Sequence, residues 1–439
     1  MFLSSYFFHH VGNQKSLVLA VLRFFQSFGI SIVFVTLPLY LFDFFQSEFV
    51  VGQIETIGSF ATIIFMLCFG YLLSRFHRST LYKIAMCVGM IGLLFLIFLD
   101  SYFHAMLAGT GTKLISIIAT SILALYVRDV VPPIKLLRFQ SFITALSNSA
   151  FFVGPLFAGW LMHLLDSYEP FYNFLLRFGI FDPMYLKYQF PLSIAFCVYA
   201  LVLGIFLWNK WYMRHIHLHD TKKESIHTNV HHPWHLRNII TYFHNPYRVL
   251  SFLNTSFITI WWVMVYIFFP LLLQRHGIET GKIALTMGLL VVPLIVGEFF
   301  VPQILRKFQG SFPALILGYT IFAFCLLIAF VFGYEHLNWF IFFLILSQCG
   351  VAITEPLQTY QFFEGTRKSE ETKYYSLSLL GGVSMRFLTP VIFGFFVNMI
   401  GIDDAFKFIP FYLFLVVVVL IVYYHRSQKS EVRNQNVKN

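Results

Sequence analysis

Charge is what this sequence most lacks. Only 11% of its 439 residues are Asp, Glu, Lys or Arg, less than half of the roughly 25% usual in soluble domains. With 58% hydrophobic residues and a mean hydropathy of +0.74, the composition excludes a soluble globular protein. Cysteine is scarce too. Cys68, Cys87, Cys197, Cys325 and Cys349 all fall inside apolar runs, so they read as small core residues and not as a disulfide or zinc framework. The opening MFLSSYFFHHVGNQKS lacks the basic start and small-residue cleavage site of a secretory signal. The first apolar run is therefore expected to stay in the mature chain.

What the sequence does have is a series of apolar runs of about 20 residues, enough to cross ~30 Å of hydrocarbon at 1.5 Å per residue. Twelve can be marked: 16–42, 50–74, 80–99, 105–127, 138–165, 190–211, 248–273, 281–304, 312–333, 337–362, 374–399 and 405–424. In lipid each must be a helix, because only a helix satisfies all its backbone polar groups within one segment. The widest gap divides the runs six and six. This predicts a first bundle over 1–211, a His-rich cytoplasmic linker over 212–247, a second bundle over 248–425 and a cytoplasmic tail over 426–439.

The net charge of +10 would suit a nucleic acid partner, but its placement points elsewhere. With the N-terminus in the cytoplasm, 22 of the 30 Lys and Arg residues fall on the cytoplasmic side. Five fall outside (Arg177, Lys187, Arg275, Lys282 and Lys407), and Arg23, Lys113 and Arg386 lie within the runs. This is the positive-inside asymmetry of a membrane protein. Both termini are expected in the cytoplasm, the partner is the lipid bilayer, and no nucleic acid is involved.

The two halves also repeat one another. TLPLYLFD and FFPLLLQR place Pro38 against Pro270 at an offset of 232, and the same offset sets Arg75 on Lys307 and Phe76 on Phe308. GPLFAG (154–159) faces TPVIFG (389–394), matching Pro155 to Pro390 and Gly159 to Gly394 at an offset of 235. The predicted fold is therefore an all-α polytopic membrane protein, twelve transmembrane helices forming two six-helix pseudo-symmetric bundles. Parallel repeats of six helices are an arrangement of secondary transporters.

On these residues the chain resembles the major facilitator superfamily. The family's signature after the second helix, G-x-x-x-D-R-x-G-R-R, reads here Gly70-Y-L-L-Ser74-Arg75-F-H-Arg78-S. Ser74 replaces the Asp and His77 the second Gly. The fifth-helix motif of its drug:proton antiporters, G-P-x-x-G-G, reads Gly154-Pro155-L-F-Ala158-Gly159. Their fourth-helix Arg is missing, with Lys113 as the one stand-in. The resemblance implies two bundles that rock about a central path. It implies a conformational role for Gly70, Ser74, Arg75, Arg78, Gly154, Pro155 and Gly159, with Asp129 able to supply the acid missing from the loop. Plain interfacial anchoring would also account for Arg75 and Arg78.

Ionisable residues inside a bilayer cost several kcal/mol on insertion scales, so each is a functional candidate. Arg23, Gln26, Ser27 and Ser31 share one helical face. At offset 232, Arg23 and Ser27 fall on Thr255 and Thr259, with Ser251 and Asn254 beside them. Lys113, Ser116 and Thr120 make a second single-face set, and Gln348 and Glu355 a third. The expected substrate cavity is Arg23, Gln26, Ser27, Lys113, Asn254, Thr255, Gln348 and Arg386. Arg386 either takes part in function or pairs with Glu355. Glu298 and Glu355 are the expected proton-coupling residues. Asp43 and Glu55, near the outer ends, read as solvated, and Trp261-Trp262 as lipid-facing bulk.

Two loop features point to other chemistries. Histidines 215, 217, 219, 227, 231, 232 and 235 could bind a metal but lack fixed spacing, so a solvated linker is expected, with no metal or cofactor. The WHLRNIITYF that follows could be an amphipathic helix on the membrane. His215 and Asp220 form H-x-x-x-x-D, and Glu364 to Arg367 spell EGTR. Both motifs occur in glycerolipid acyltransferases, but no soluble segment is long enough for a catalytic domain. The expected function is secondary active transport of a small organic solute and not an enzyme activity. Proton-coupled export is expected, with proton-coupled uptake of an organic anion as the alternative. The expected setting is a bacterial inner membrane, crossed as a multi-pass monomer.

The topology has a direct check. In a variant without its native cysteines, Ser225→Cys and Glu370→Cys should both react with an impermeant maleimide from the cytoplasmic side only. Labelling from opposite sides would overturn the twelve-span arrangement.

Overall fold

The computed structural model consists of helices joined by short connections, with no strand among the residues it describes: 14–130, 133–213, 236–297, 300–308, 310–333, 336–367 and 370–438. Twelve helices are long and apolar enough to cross a bilayer. In the first half they are α1 (Gln14–Phe45), α2 (Glu48–Arg75), α3 (Arg78–Ile97), α4 (Tyr102–Val130), α5 (Pro133–Ser167) and α6 (Leu186–Met213). In the second half they are α7 (Pro246–Arg275), α8 (in three pieces, Thr280–Leu289, Val292–Gly297 and Val301–Phe308), α9 (Ser311–Phe332), α10 (Leu337–Glu364), α11 (Glu371–Ile400) and α12 (Ile409–Lys438). All twelve expected runs are present. The final helix continues to Lys438, well into the segment expected as a tail.

Proline explains the irregular helices. Pro293 and Pro302 each sit second in a new piece of α8, where a missing N–H costs nothing. In α7 a π-turn, Met264–Phe268, precedes Pro270, and the Phe269 N–H donates to the Met264 carbonyl. The proline ring would clash with the carbonyl four residues back, that of Tyr266. The wider turn relieves the clash.

α1 packs on α4, α5 and α6, and α3 on α4 and α6, forming one bundle. α7 packs on α10 and α11, and α9 on α10 and α12, forming the other. Across the seam α2 lies along α11 and α5 along α8, two pairs that the six-helix repeat interchanges. Outward, Phe411, Leu415, Val418 and Val422 make an exposed stripe on α12, spaced to face hydrocarbon along one side of a helix. Hydroxyls in the spans return to their own helix: Thr56 donates to Gly52 O (2.8 Å), Thr62 to Gly58 O (2.9 Å) and Thr112 to Ala108 O (2.9 Å). These three hydroxyls are thereby satisfied within their own helices.

The start of α1 and the end of α12 lie at one end of the described molecule, with Arg75, Arg78, Arg306 and Arg367 at neighbouring helix ends; we call it the basic face. There Arg248, at the start of α7, is buried. It stacks 4.2 Å from the Tyr374 ring and donates to Gly365 O (2.9 Å), Thr366 Oγ1 (3.3 Å) and Glu370 Oε2 (2.7 Å). Asn245 caps α7 by accepting from Tyr247 and Arg248 N–H, and donates to Gly365 O (3.1 Å). Two residues of the EGTR segment thus fasten the α10–α11 turn to α7. The short helix Leu236–Phe243 is bound into the same clasp. Its Tyr242 is buried, donates to Arg248 O (3.1 Å), and has its phenol pushed up in pKa by that burial.

Helices α3 and α4 cross at Gly92 and Gly111, where a Cβ on Gly111 would stand 2.8 Å from Gly92 Cα. Gly111→Val should force the pair apart, at an overpacking cost of about 1–3 kcal/mol. The expected result is a lower melting temperature of the purified protein in detergent; an unchanged melt would mean that this crossing carries little of the first bundle's stability.

Candidate functional site

The bundles are not equally close along their seam. α5 packs closely on the first piece of α8, less on the second and least on the third. α1 likewise meets the last part of α7 and its π-turn far more than the first part, Pro246–Val263. The bundles therefore splay toward the basic face and close at the opposite face, leaving a cleft between them.

Small residues and aromatic rings make the closure. A Cβ on Gly159 would run into Ala284, and one on Gly288 would stand 3.1 Å from Phe152 O. Gly52 sits beside Pro390 and Phe268. Tyr266, in the π-turn, contacts Phe34 of α1 (4.9 Å between ring centroids) and Phe151 of α5 (6.0 Å). Beyond this aromatic plug, the Gln274 side chain donates across the seam to Asp43 Oδ1 (3.3 Å). The other Asp43 oxygen accepts from the Tyr188 hydroxyl and lies 3.6 Å from the Lys187 ammonium. Asp43, expected to be solvated, is instead a bonded node of the closed end.

Two charged layers lie along the cleft. In the layer nearer the basic face, the Arg23 guanidinium donates to Thr120 Oγ1 (2.7 Å), with Gln26 Nε2 3.4 Å from the same oxygen. Glu355 of α10 and Tyr375 of α11 lie within electrostatic reach of Arg23 from the other bundle. Glu355 Oε2 is buried and without a hydrogen bond, as is Gln26 Oε1. Helix α10 continues directly into Pro356.

The deeper layer was only partly legible. Glu55 and Lys113 form a buried ion pair between α2 and α4, each side chain less than a tenth exposed. Glu55 had been expected at the surface. It lies two turns into α2, and the inward face of that helix is covered by α4 and α11. From α11 Arg386 reaches this pair: Phe387 packs on Phe60 (5.6 Å), Gly52 meets Pro390, and Glu55 falls between these contacts. Arg386 interacts electrostatically with Glu55 and Tyr266. Its expected alternative partner, Glu355, interacts electrostatically with Arg23 instead, without a hydrogen bond between them. Arg386 makes no hydrogen bond among the described residues.

The remaining expected residues are distributed differently. Ser27 bonds Ser147 (2.7 Å), holding α1 to α5. Asn254 donates to Thr354 O (2.9 Å) and accepts from Tyr319 (2.9 Å), and Thr255 donates back to Ser251 O (2.7 Å). Gln348 accepts from Trp261 Nε1 (3.3 Å) inside the second bundle. Trp261 is thus buried and not lipid-facing, and Trp262 stacks on Tyr266 (5.2 Å, 16° between planes). Gly70 and Ser74 lie in the last turns of α2, and Asp129 near the end of α4. Arg75 lies 5.7 Å from the Tyr71 ring of its own helix, and Arg78 opens α3. A Cβ on Gly154 would overlap Ser31, so Gly154 and Pro155 lie where α5 touches α1. Glu298 and the seven linker histidines lie outside the described residues. Sequence reasoning missed Tyr266; its one signal was Pro270 four residues on.

Residues 19–390 match the family described as the Major Facilitator Superfamily. No curated protein matches the sequence. Among solved structures, a mutant of the nucleoside transporter NupG is similar at 13% identity with TM-score 0.68, covering 94% of this chain and 100% of that one. A bacterial homologue of the iron transporter ferroportin, in an outward-facing state, is similar at 15% identity with TM-score 0.65, covering 95% and 100%.

The Glu55–Lys113 pair should behave as a buried ion pair. Lys113→Met alone leaves the Glu55 carboxylate with only the more distant Arg386 to balance it and should destabilise the protein by up to about 3–5 kcal/mol, whereas adding Glu55→Leu should restore part of the loss. Thermal melts of the single and double variants test this, and equal melts for the two would refute it.

Proposed function

Because the chain belongs to the major facilitator superfamily, we propose that it is a secondary active transporter that moves a small organic solute by alternating access through the cleft between its bundles. Glu355 is the proton-coupling residue. The observation that carries this is the Glu355 carboxyl, buried at the seam with an unbonded oxygen and facing Arg23 of the other bundle. Its charge can be balanced by a proton or by Arg23. Any rocking that changes the distance between the bundles changes which of the two is favoured, and this links protonation to conformation.

The excess of Lys and Arg at the basic face favours the cytoplasmic side for it, in what we take to be a bacterial inner membrane, and on this reading the cleft opens inward. Closure of the opposite end rests on Gly159, Gly288 and the aromatic plug, with Gly154 and Pro155 setting α5 against α1 behind it. Arg75 and Arg78, with Asp129, Gly70 and Ser74 around them, would engage when the cytoplasmic side closes. A single chain contains both halves of the path and works as a monomer. We assign proton-driven export, which the Gly154-Pro155-x-x-Ala158-Gly159 segment favours. The surplus of cations in the cleft favours a second reading, proton-coupled uptake of an organic anion.

Proteoliposomes separate the two. A solute is first chosen by thermal-shift screening of metabolites and drugs. Acidifying the outside should then oppose its uptake if the protein is an antiporter and drive uptake if it is a symporter. In either case Glu355→Gln should abolish the effect of the pH gradient while leaving gradient-free exchange. A Glu355→Gln variant that still responds fully to the gradient would remove Glu355 from the coupling step.

A further inference from the structure

The nature of the solute can be taken further on the reading of the cleft as a transport path. Arg386 is a cation placed at mid-membrane depth with no hydrogen-bond acceptor among the described residues. An isolated buried guanidinium costs far more than a paired one. In its layer two cations, Arg386 and Lys113, face one carboxylate, Glu55, and Lys113 already holds that carboxylate. The layer therefore has one positive charge to spare, on a group whose planar fork suits a carboxylate or phosphate.

Beside Arg386 stands Tyr266, stacked on Trp262 at 5.2 Å and tilted against Phe34 and Phe151. Neither the Tyr266 hydroxyl nor the Trp262 indole N–H makes a hydrogen bond among the described residues, so both are free to meet a ligand. The aromatic pair is held on α7 by the π-turn. Gly382 of α11 approaches Thr255 and Thr259 of α7 and brings Arg386, one turn further on, level with the rings. A flat apolar surface, two unused donors and an unneutralised guanidinium thus converge on one place, at the closed end of the cleft.

We propose that this is the binding site for a planar organic anion, its conjugated ring stacked on Tyr266 and Trp262 and its acidic group held by Arg386. Contact with Tyr266 ties the solute to the plug that closes the path, since the same ring bridges α7 to Phe34 and Phe151. An acyclic anion would satisfy Arg386 but leave the rings uncovered. A neutral aromatic would cover the rings but leave the cation unpaired.

Three probes separate these contributions: 2-naphthoate, its neutral amide naphthalene-2-carboxamide, and hexanoate. Binding to the purified full-length protein in detergent is measured by calorimetry and by tryptophan fluorescence. 2-Naphthoate is expected to bind at least tenfold more tightly than either of the others. Arg386→Gln should abolish that preference over the carboxamide, with Arg386→Lys retaining part of it. Tyr266→Leu should abolish the preference over hexanoate. Unliganded melting temperatures of each variant identify any that fail to fold; Trp262→Leu then serves in place of Tyr266→Leu. Absence of 2-naphthoate binding, equal binding of the amide, or an Arg386→Gln variant that keeps the preference would each overturn the proposal. Loss of gradient-driven flux in Glu355→Gln with another solute, alongside any of these results, would leave the transport reading standing and this site refuted.

Discussion

Hydrocarbon offers no partner to a polar group, and that constraint shapes the whole molecule. Backbone groups close on themselves as helices, and hydroxyls bond back to carbonyls of the preceding turn. Among the described residues, the ionisable side chains deep in the spans gather along the seam between the bundles. Arg23, Glu55, Lys113, Glu355 and Arg386 all gather there, although they come from α1, α2, α4, α10 and α11. Their concentration marks the surface along which the two halves face each other across a path that admits polar matter.

The same charges differ in how they are balanced, and the difference separates structure from mechanism. Glu55 and Lys113 belong to one bundle and neutralise each other at contact distance, so motion between bundles leaves them paired. Arg23 and Glu355 sit on opposite bundles, so the rocking proposed above would change their separation. Arg386 has the charge of neither arrangement fully available to it. A fixed pair, two opposite charges facing across the seam without a bond, and an unmatched cation thus occupy successive positions along the seam.

Packing decides which end of that cleft is shut. At the opposite face, glycines on α5 and α8 let the helices approach closely, and aromatic rings from three helices fill the seam. At the basic face the halves diverge, and each is braced internally, the second by the Arg248 clasp. Polar bonds such as Ser27 with Ser147 and Asn254 with Tyr319 lie within one bundle and brace it internally. A nucleoside transporter and a bacterial homologue of an iron transporter share a comparable fold, so fold alone does not specify cargo. The side chains in the cleft must do so.

By itself the sequence determined the twelve spans, the six-and-six division, the sidedness of charge and the family. The spans and their division follow from the length of apolar runs, the sidedness from where Lys and Arg fall, and the family from the resemblance carried by Gly70, Arg75, Arg78 and the Gly154–Gly159 segment. It also singled out Arg23, Lys113, Glu355 and Arg386, because a charge within an apolar run is visible without knowing its neighbours. Which charges meet was decided only by the tertiary structure. The pairing of Glu55 with Lys113 joins residues 58 positions apart, Arg23 faces a glutamate from the other half, and Asp43 is drawn into the closed end by Gln274. Tyr266 gained its place the same way: its chemistry is unremarkable among 23 tyrosines until a proline-driven π-turn and two foreign aromatic rings position it. Partnership in three dimensions depends on how helices pack, and no spacing along one helix encodes that.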